Sequence, residues 1–347
     1  MIKFVQQKKV NFKKVEDLLN QSISSNQMTN RGPCKFLLEK KLEKLFNLDS
    51  DKRVICVGNG TLALHALMLF YNKISKKELK WVTPSFTFPS SVVGNFESDI
   101  LDIDETYSMP LTDENLSKYD GFIITNLFGT YPNNFMEWVK RCKDENKILI
   151  FDNASSPLTT INGKNICAFG DAAFGSLHHT KYLGFGEGGF IVIDSKYYDE
   201  INNILCFGFN PTEVKRRYNK FSSNFKMSDV SAAFILQHIE SYDIANHIKI
   251  QDSFLKFIEK QENLKIFNYS ESVVYGNLPI LFNKPVSHLS FRDLGIEANK
   301  YYYPLKEDPN SLKLYEHIIN LPLHAELSEY EIDVLQASVK IAAGGSK

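Results

Sequence analysis

The sequence predicts an α/β protein built on a mostly parallel sheet, and three observations predict it. Short apolar runs alternate with stretches of helical spacing through much of the N-terminal half, the order that gives parallel strands covered by helices. Lys147–Asp152 (KILIFD) is apolar without alternation, as expected of a strand buried on both faces. Val54–Val57 runs through Gly58-Asn59-Gly60-Thr61 into the helical stretch Leu62–Tyr71, a strand, glycine turn and helix in succession.

At 347 residues the chain can hold two domains and bury a large core. Its 40 basic and 41 acidic residues leave a net charge of −1, which offers no electrostatic basis for binding nucleic acid or an anionic membrane. No apolar run approaches the length of a membrane span, and Met1–Lys14 is basic and polar without an apolar centre. Neither a span nor a signal peptide is expected. The five cysteines are an odd number, widely spaced and without a CxxC pair, so neither a metal site nor a disulfide framework is expected. Cys56, in an apolar run, reads as a small core residue. A reducing cytoplasm fits this pattern.

In order, Val15–Ile23 has near-helical spacing, Thr29–Pro33 is a turn, and Cys34–Phe46 reads as an amphipathic helix. Trp81–Pro84 and Asp120–Thr125 read as strands, with a helix from about Asn133 to Cys142. Ala172–Leu177 and Phe190–Ile193 are two further strands, followed by a polar helix over Lys196–Ile204. Gly208–Ser223 is a loop carrying Arg216, Arg217 and Tyr218. Ser228 is placed to cap a largely apolar helix through His247. From about Ile248 the elements shorten. Leu264–Phe267 and Leu278–Phe282 read as strands, Leu312–Ile319 and Glu326–Val339 as helices, and Ala343–Lys347 as a frayed tail.

The chemistry concentrates on Lys181, between two strands and before a glycine-rich turn (Gly184, Gly186, Gly188, Gly189). A lysine there is held beside backbone that can approach a ligand closely, and partial desolvation makes it an amine nucleophile. A solvated loop lysine is the alternative. Gly184, Gly186 and Gly189 also spell G-x-G-x-x-G, the dinucleotide fingerprint. That motif needs a helix opening at it, and a strand-like run follows instead. The turn at Gly60 and Thr61 would aim free backbone N–H groups and a helix dipole at an anion such as phosphate, although many ordinary α/β connections look the same. Asp152 ends a buried strand where α/β folds bind ligands, and a buried carboxylate there asks for a cationic partner. Capping of the next turn is the alternative.

The stretch FGDAAFGSLHHTKYLGFGEGGFIV resembles the cofactor-lysine segment of the DegT/DnrJ/StrS family of pyridoxal-phosphate (PLP) nucleotide-sugar aminotransferases, with aspartate, serine, lysine and GEGG in register. The resemblance extends from Thr29 to about Val339 in the family's order of motifs. It implies a PLP-dependent transferase of fold type I, like aspartate aminotransferase. A large PLP-binding domain with an N-terminal helical segment would span residues 1–227, and a smaller α+β domain residues 228–347.

By the same resemblance Lys181 carries PLP. Gly60, Thr61 and Ser176 hold its phosphate, and Phe88, from the segment PSFTF, stacks on its ring; a core phenylalanine is the other reading of Phe88. Asp152 would keep the ring nitrogen protonated so the ring acts as electron sink. Ser155 stands where the family has glutamine or histidine. Asn224, in NFKMSD, would reach the phosphate of the neighbouring subunit, implying a homodimer with shared sites; Lys226 replaces the family's arginine there. Thr29-Asn30-Arg31-Gly32-Pro33, Leu101–Asp104, Tyr301–Leu305 and Leu321–His324 resemble further family segments. His178 and His179 receive no role.

The implied reaction is a PLP-dependent transamination. Glutamate gives up its amino group, the cofactor alternates between the pyridoxal and pyridoxamine phosphate forms, and a nucleotide-linked keto-sugar receives the group. Lys181, once free, moves the proton. A lysine rather than a histidine at this position argues against a dehydratase. The expected substrate is a dTDP-4-keto-6-deoxyhexose, giving a 4-amino-4,6-dideoxy sugar for surface polysaccharide such as O-antigen. The alternatives are a 3-keto-sugar nucleotide, a non-nucleotide ketone such as a keto-inositol, and a regulatory PLP-binding protein without turnover.

Overall fold

A computed structural model describes residues 1–94, 97–209, 220–270 and 272–344. Arg216, Arg217, Tyr218 and the last residues of the tail lie outside the described residues. The chain begins with helices α1 (Phe12–Ser24) and α2 (Pro33–Leu45). Strand β1 (Lys52–Val57) and helix α3 (Gly60–Ser75) follow, and then β2 (Trp81–Pro84), β3 (Asp99–Leu101), α4 (Asp113–Lys118), β4 (Gly121–Thr125), α5 (Phe135–Asp144) and β5 (Ile148–Asp152). A short hairpin, β6 (Thr160–Ile161) and β7 (Lys164–Asn165), precedes β8 (Ala172–Ser176), β9 (Gly189–Asp194) and α6 (Tyr198–Ile204). The C-terminal part holds α7 (Asp229–Ser241), α8 (Ile244–Ile258), β10 (Leu264–Ile266), β11 (Leu278–Phe282), α9 (Leu289–Arg292), α10 (Pro309–His317), β12 (Ile318–Leu321) and α11 (Glu329–Ala342).

The central sheet has seven strands in the order β1-β9-β8-β5-β4-β2-β3. Every pairing is parallel except those of β9, which runs against both β8 and β1. The mostly parallel α/β sheet expected from the sequence is therefore present. The antiparallel return of β9 leaves the connection from β8, which carries Lys181, as a tight excursion at one sheet end rather than a helical crossover.

Period-two alternation sorts the strand residues onto two apolar cores. Val54, Cys56, Phe122, Leu149, Phe151 and Phe190 face the core shared with α1, α2, α5 and α7. Ile55, Val57, Ile123, Ile150, Phe174 and Ile191 face the core under α3 and α6. Both faces are covered, which is why β5 reads as an unbroken apolar run.

A second sheet, β10-β11-β12, has three antiparallel strands. It packs with α8 and α11 around Phe254, Tyr275, Ile280 and Ile318. Phe86, Ile103, Leu127 and Phe128, from loops at the rim of the large sheet, enter the same core and tie the two sheets together. The N-terminus joins here as well: the Ile2 N–H donates to the Gly295 carbonyl at 2.8 Å.

Several expected boundaries differ. The helix expected to run from Ser228 through His247 is two helices, broken at Tyr242 and Asp243, where the Asp243 side chain accepts the Asn246 N–H and starts α8. Ile318 and Ile319, expected to end a helix, instead open β12, whose residues are all buried beside β11. Relative to the segment Leu101–Asp104, β3 is shifted N-terminally, to Asp99–Leu101. Asp102 then accepts the backbone N–H groups of Asn310 and Ser311, capping α10. Ser228 caps α7 as expected, accepting the Ser231 N–H at 3.1 Å.

Candidate active site

The C-terminal ends of β4, β5 and β8 and the N-terminus of α3 converge on a cavity of about 490 Å³. Its lining includes Gly60, Thr61, Phe88, Asp152, Ser155, Ser176 and Lys181. Seven of the eight residues singled out in the sequence are thus brought together. Asn224 is not: it is exposed, lies outside the lining, and its side chain accepts from Lys226 Nζ at 2.5 Å. The turn at Gly32 also lies outside the cavity lining. A Cβ on Gly32 would fall 2.3 Å from Asp229 Oδ2, so the turn is wedged at the start of α7.

Each side chain owes its place to local structure. Asn59 accepts the Leu62 N–H at 3.0 Å and caps α3. The first N–H groups of α3, at Gly60 and Thr61, precede the helix's own ladder, and both residues line the cavity. Gly189 pairs with Val57, and a Cβ there would come 2.4 Å from the Asn59 carbonyl carbon. Only glycine lets β9 approach the β1–α3 turn so closely. Ser176, the last residue of β8, accepts the His178 N–H at 3.2 Å.

Asp152 is 4% exposed, and its carboxylate accepts the Ala154 N–H at 2.8 Å. Burial pushes its pKa up to about 6, against a smaller downward pull from that hydrogen bond and from Lys181. Burial likewise holds Lys181 below the ordinary lysine value, with Asp152 opposing.

The turn that carries Lys181 is tightly bonded. Its N–H donates to the His178 carbonyl at 2.8 Å, and its carbonyl accepts the Gly184 N–H at 2.9 Å. β9 follows the glycines directly, so no helix opens at the G-x-G-x-x-G and the dinucleotide reading has no structural basis.

The cavity also holds residues to which the sequence gave no role. Tyr302 is half-buried; its ring lies parallel to Phe128 at 6.2 Å and edge-on to Phe88 at 6.0 Å. Phe128 reaches that position from a left-handed backbone, φ 59°. The half-exposed Phe88 closes one wall. Gly276 and Asn277 arrive from the segment before β11; a Cβ on Gly276 would fall 2.3 Å from the Ser155 carbonyl oxygen. Phe4 and His178 complete the rim, with His178 Nε2 3.5 Å from Glu187. The Tyr-Tyr pair was visible as a motif, whereas Phe4 lies in a polar stretch with no signal.

These groups fit a phosphorylated aromatic cation. Backbone N–H groups and two hydroxyls, from Thr61 and Ser176, offer a phosphate site. A buried carboxylate with one hydrogen bond offers a partner for a protonated ring nitrogen, and a desolvated lysine offers a nucleophile.

Comparison with known proteins agrees. A sequence model of the DegT/DnrJ/EryC1/StrS aminotransferase family matches residues 10–260, and the chain belongs to that family. It is an aminotransferase, and aminotransferases of this family use pyridoxal 5′-phosphate. The chain is 25% identical over 350 residues to a dTDP-4-amino-4,6-dideoxy-D-glucose transaminase of Shigella dysenteriae, covering 91% of this chain and 92% of that one. It is 24% identical to a GDP-perosamine synthase of Escherichia coli O157:H7, over 94% of each. In fold it is similar to Helicobacter pylori PseC, an aminotransferase involved in the biosynthesis of pseudoaminic acid. That likeness has a TM-score of 0.82 at 16% identity and covers 98% of each chain. Among the described residues, no helix is long and apolar enough to cross a membrane.

Proposed function

We propose that the protein moves an amino group from glutamate to a nucleotide-linked keto-sugar, with a dTDP-4-keto-6-deoxyhexose as acceptor and a 4-amino-4,6-dideoxy sugar as product. The observation that carries this reading is the convergence of Lys181, Asp152 and the α3 N-terminus on one cavity of about 490 Å³, large enough for a cofactor and part of a substrate.

When bound, pyridoxal 5′-phosphate supplies an electron sink that weakens the bonds at an amino-bearing carbon. Gly60, Thr61 and Ser176 would bind its phosphate through backbone N–H and hydroxyl donors. Asp152 would hold the proton on the ring nitrogen, and the cationic partner would restore its own ionised form. Phe88 would pack on one ring face and exclude water there. Ser155 would contact the cofactor from beside Asp152. Lys181 would hold the cofactor at rest and, once displaced, carry a proton from the donor carbon to the cofactor's exocyclic carbon as general acid/base.

Asn224 would act in a homodimer, reaching the phosphate held by the neighbouring subunit. The division of the chain is also a proposal. The packing of α7 against α1 and α2 favours a boundary between α7 and α8 rather than the one after residue 227. A reducing cytoplasm suits the free cysteines and the polysaccharide role proposed for the product.

The relative acting in dTDP chemistry supports a thymidine nucleotide, and the relative named for GDP-perosamine supports guanosine. The two are separated by incubating the PLP-loaded protein with glutamate and a panel of substrates. The panel comprises dTDP- and GDP-linked 4-keto-6-deoxyhexoses, a 3-keto-sugar nucleotide and a keto-inositol, with products resolved by mass spectrometry. Amination of the dTDP 4-keto sugar in preference to the rest is expected. Preference for another member would overturn the assignment of substrate, and bound PLP with no turnover on any would favour the regulatory alternative.

A further inference from the structure

We propose that Lys8, in the segment before α1, is a positioning residue that fixes the backbone from which Lys181 works. This inference rests on the reading of Lys181 as the cofactor-bearing lysine.

Lys8 Nζ donates to the Lys181 carbonyl at 2.6 Å and to the Gly184 carbonyl, so one ammonium bridges the two ends of the turn. The Lys181 carbonyl also accepts the Gly184 N–H, so both of its lone pairs are used. The carbonyl between them, that of Tyr182, accepts from His238 Nε2 of α7 at 2.8 Å. The Tyr182 hydroxyl meets Ser156 Oγ at 2.7 Å. The turn is thus held by side chains from the N-terminal segment, from α7 and from the loop after β5. The Gly184 backbone has no slack of its own: a Cβ there would fall 2.1 Å from the His178 carbonyl oxygen.

The placing of Lys8 is costly, which argues that it serves the site. Among the described residues no carboxylate pairs with it. The titratable groups that face it are His179 and His238, both held below their ordinary values by burial and, to a lesser degree, by its charge. Burial lowers its own pKa to about 7. By contrast, the buried lysine Lys35 is bonded to the Glu39 carboxylate. A part-buried ammonium without a counter-charge gives up hydration, and the two carbonyl dipoles it bridges are what offset that loss. One of these carbonyls belongs to Lys181, which on this reading holds the cofactor and then swings to a reacting carbon. Its side chain has four rotatable bonds, so its reach is set by where the backbone puts its Cα. Misplacement of a reacting group by an ångström can cost about a hundredfold in rate.

The test uses Lys8→Met, which keeps the stem and removes the donor, and Lys8→Arg, which keeps a charged donor. Both are compared with wild type as PLP-loaded protein. The first readout is the pH titration of the lysine-dependent absorption band. The others are the single-turnover rate on adding amino donor, the retention of PLP on dialysis, and the melting midpoint without cofactor. Lys8→Met is expected to move the band's titration midpoint by about half a pH unit or more. It should also slow the single turnover about tenfold, with the cofactor-free melting midpoint little changed and Lys8→Arg close to wild type. An unchanged midpoint and rate in Lys8→Met would overturn the proposal. If Lys8→Met does not fold, Lys8→Gln takes its place. Failure of both to fold would make Lys8 a purely structural residue and also overturn it. A wild-type protein with no lysine-dependent band would instead sink the underlying reading of Lys181.

Discussion

Replacing Asp152 by asparagine should stabilise the cofactor-free protein while weakening its hold on PLP. Asp152 is 4% exposed, and burial raises its pKa from 3.8 to about 6. At ~1.4 kcal/mol for each pH unit, keeping it charged in the folded state costs about 3 kcal/mol. The sign follows from proton binding. Between pH 4 and 6 the folded state binds more protons than the unfolded state, so stability falls as pH rises through this window and stays low above it. Asparagine keeps an acceptor for the Ala154 N–H and carries no charge, so the penalty disappears. For a chain of 347 residues this gain corresponds to a rise of about 4 °C in melting midpoint at pH 7.5. The fall in stability between pH 4 and 6 should flatten with it. With PLP the order inverts, because the ring nitrogen loses its anionic partner and the thermal shift on adding cofactor shrinks. Differential scanning fluorimetry across pH, with and without PLP, reads both effects. A cofactor-free Asp152→Asn protein that melts lower than wild type at pH 7.5, or keeps the wild-type pH dependence, would refute the reasoning.

Three further predictions concern the cofactor cradle and the subunit arrangement. Gly189→Ala puts a methyl group 2.4 Å from the Asn59 carbonyl carbon; it should cost about 1–3 kcal/mol in denaturant unfolding and loosen PLP by displacing the β1–α3 turn. If Thr61 and Ser176 hold the phosphate as proposed, Thr61→Ala and Ser176→Ala each remove a hydroxyl donor worth about 1.5–3 kcal/mol, so fluorescence titration should show PLP affinity about ten- to a hundredfold lower for each. Unchanged affinity in both would move the phosphate site elsewhere. If Asn224 serves the neighbouring subunit, inactive Lys181→Ala and Asn224→Ala chains mixed and reassembled should regain about a quarter of wild-type sites, and no recovery would confine Asn224 to its own chain.

Much of this was legible in the sequence because the relevant constraints are local. The unbroken apolar run at β5 records burial on both faces, and the glycine at position 189 records a backbone contact that no side chain permits. Asp152 and Lys181 stood out because both end or follow such strands. What could not be read depends on contacts distant in sequence. The Ile318-Ile319 pair suits a helix end until β11 is known to lie beside it. The break between α7 and α8 is made by a single aspartate cap in an otherwise continuous helical pattern. Phe4 and Lys8 reach the site from a segment with no regular structure, so nothing in their neighbourhood signals their role. Asn224 lies outside its own chain's cavity, and a role for it needs a second subunit.

The central claim is that Lys181 binds PLP and that the bound cofactor accepts an amino group. The most direct measurement is the absorption spectrum of the purified protein with PLP, before and after glutamate, beside Lys181→Ala. A yellow band that requires Lys181 and bleaches with glutamate is predicted. A band of equal strength in Lys181→Ala, or none in wild type, would contradict the account.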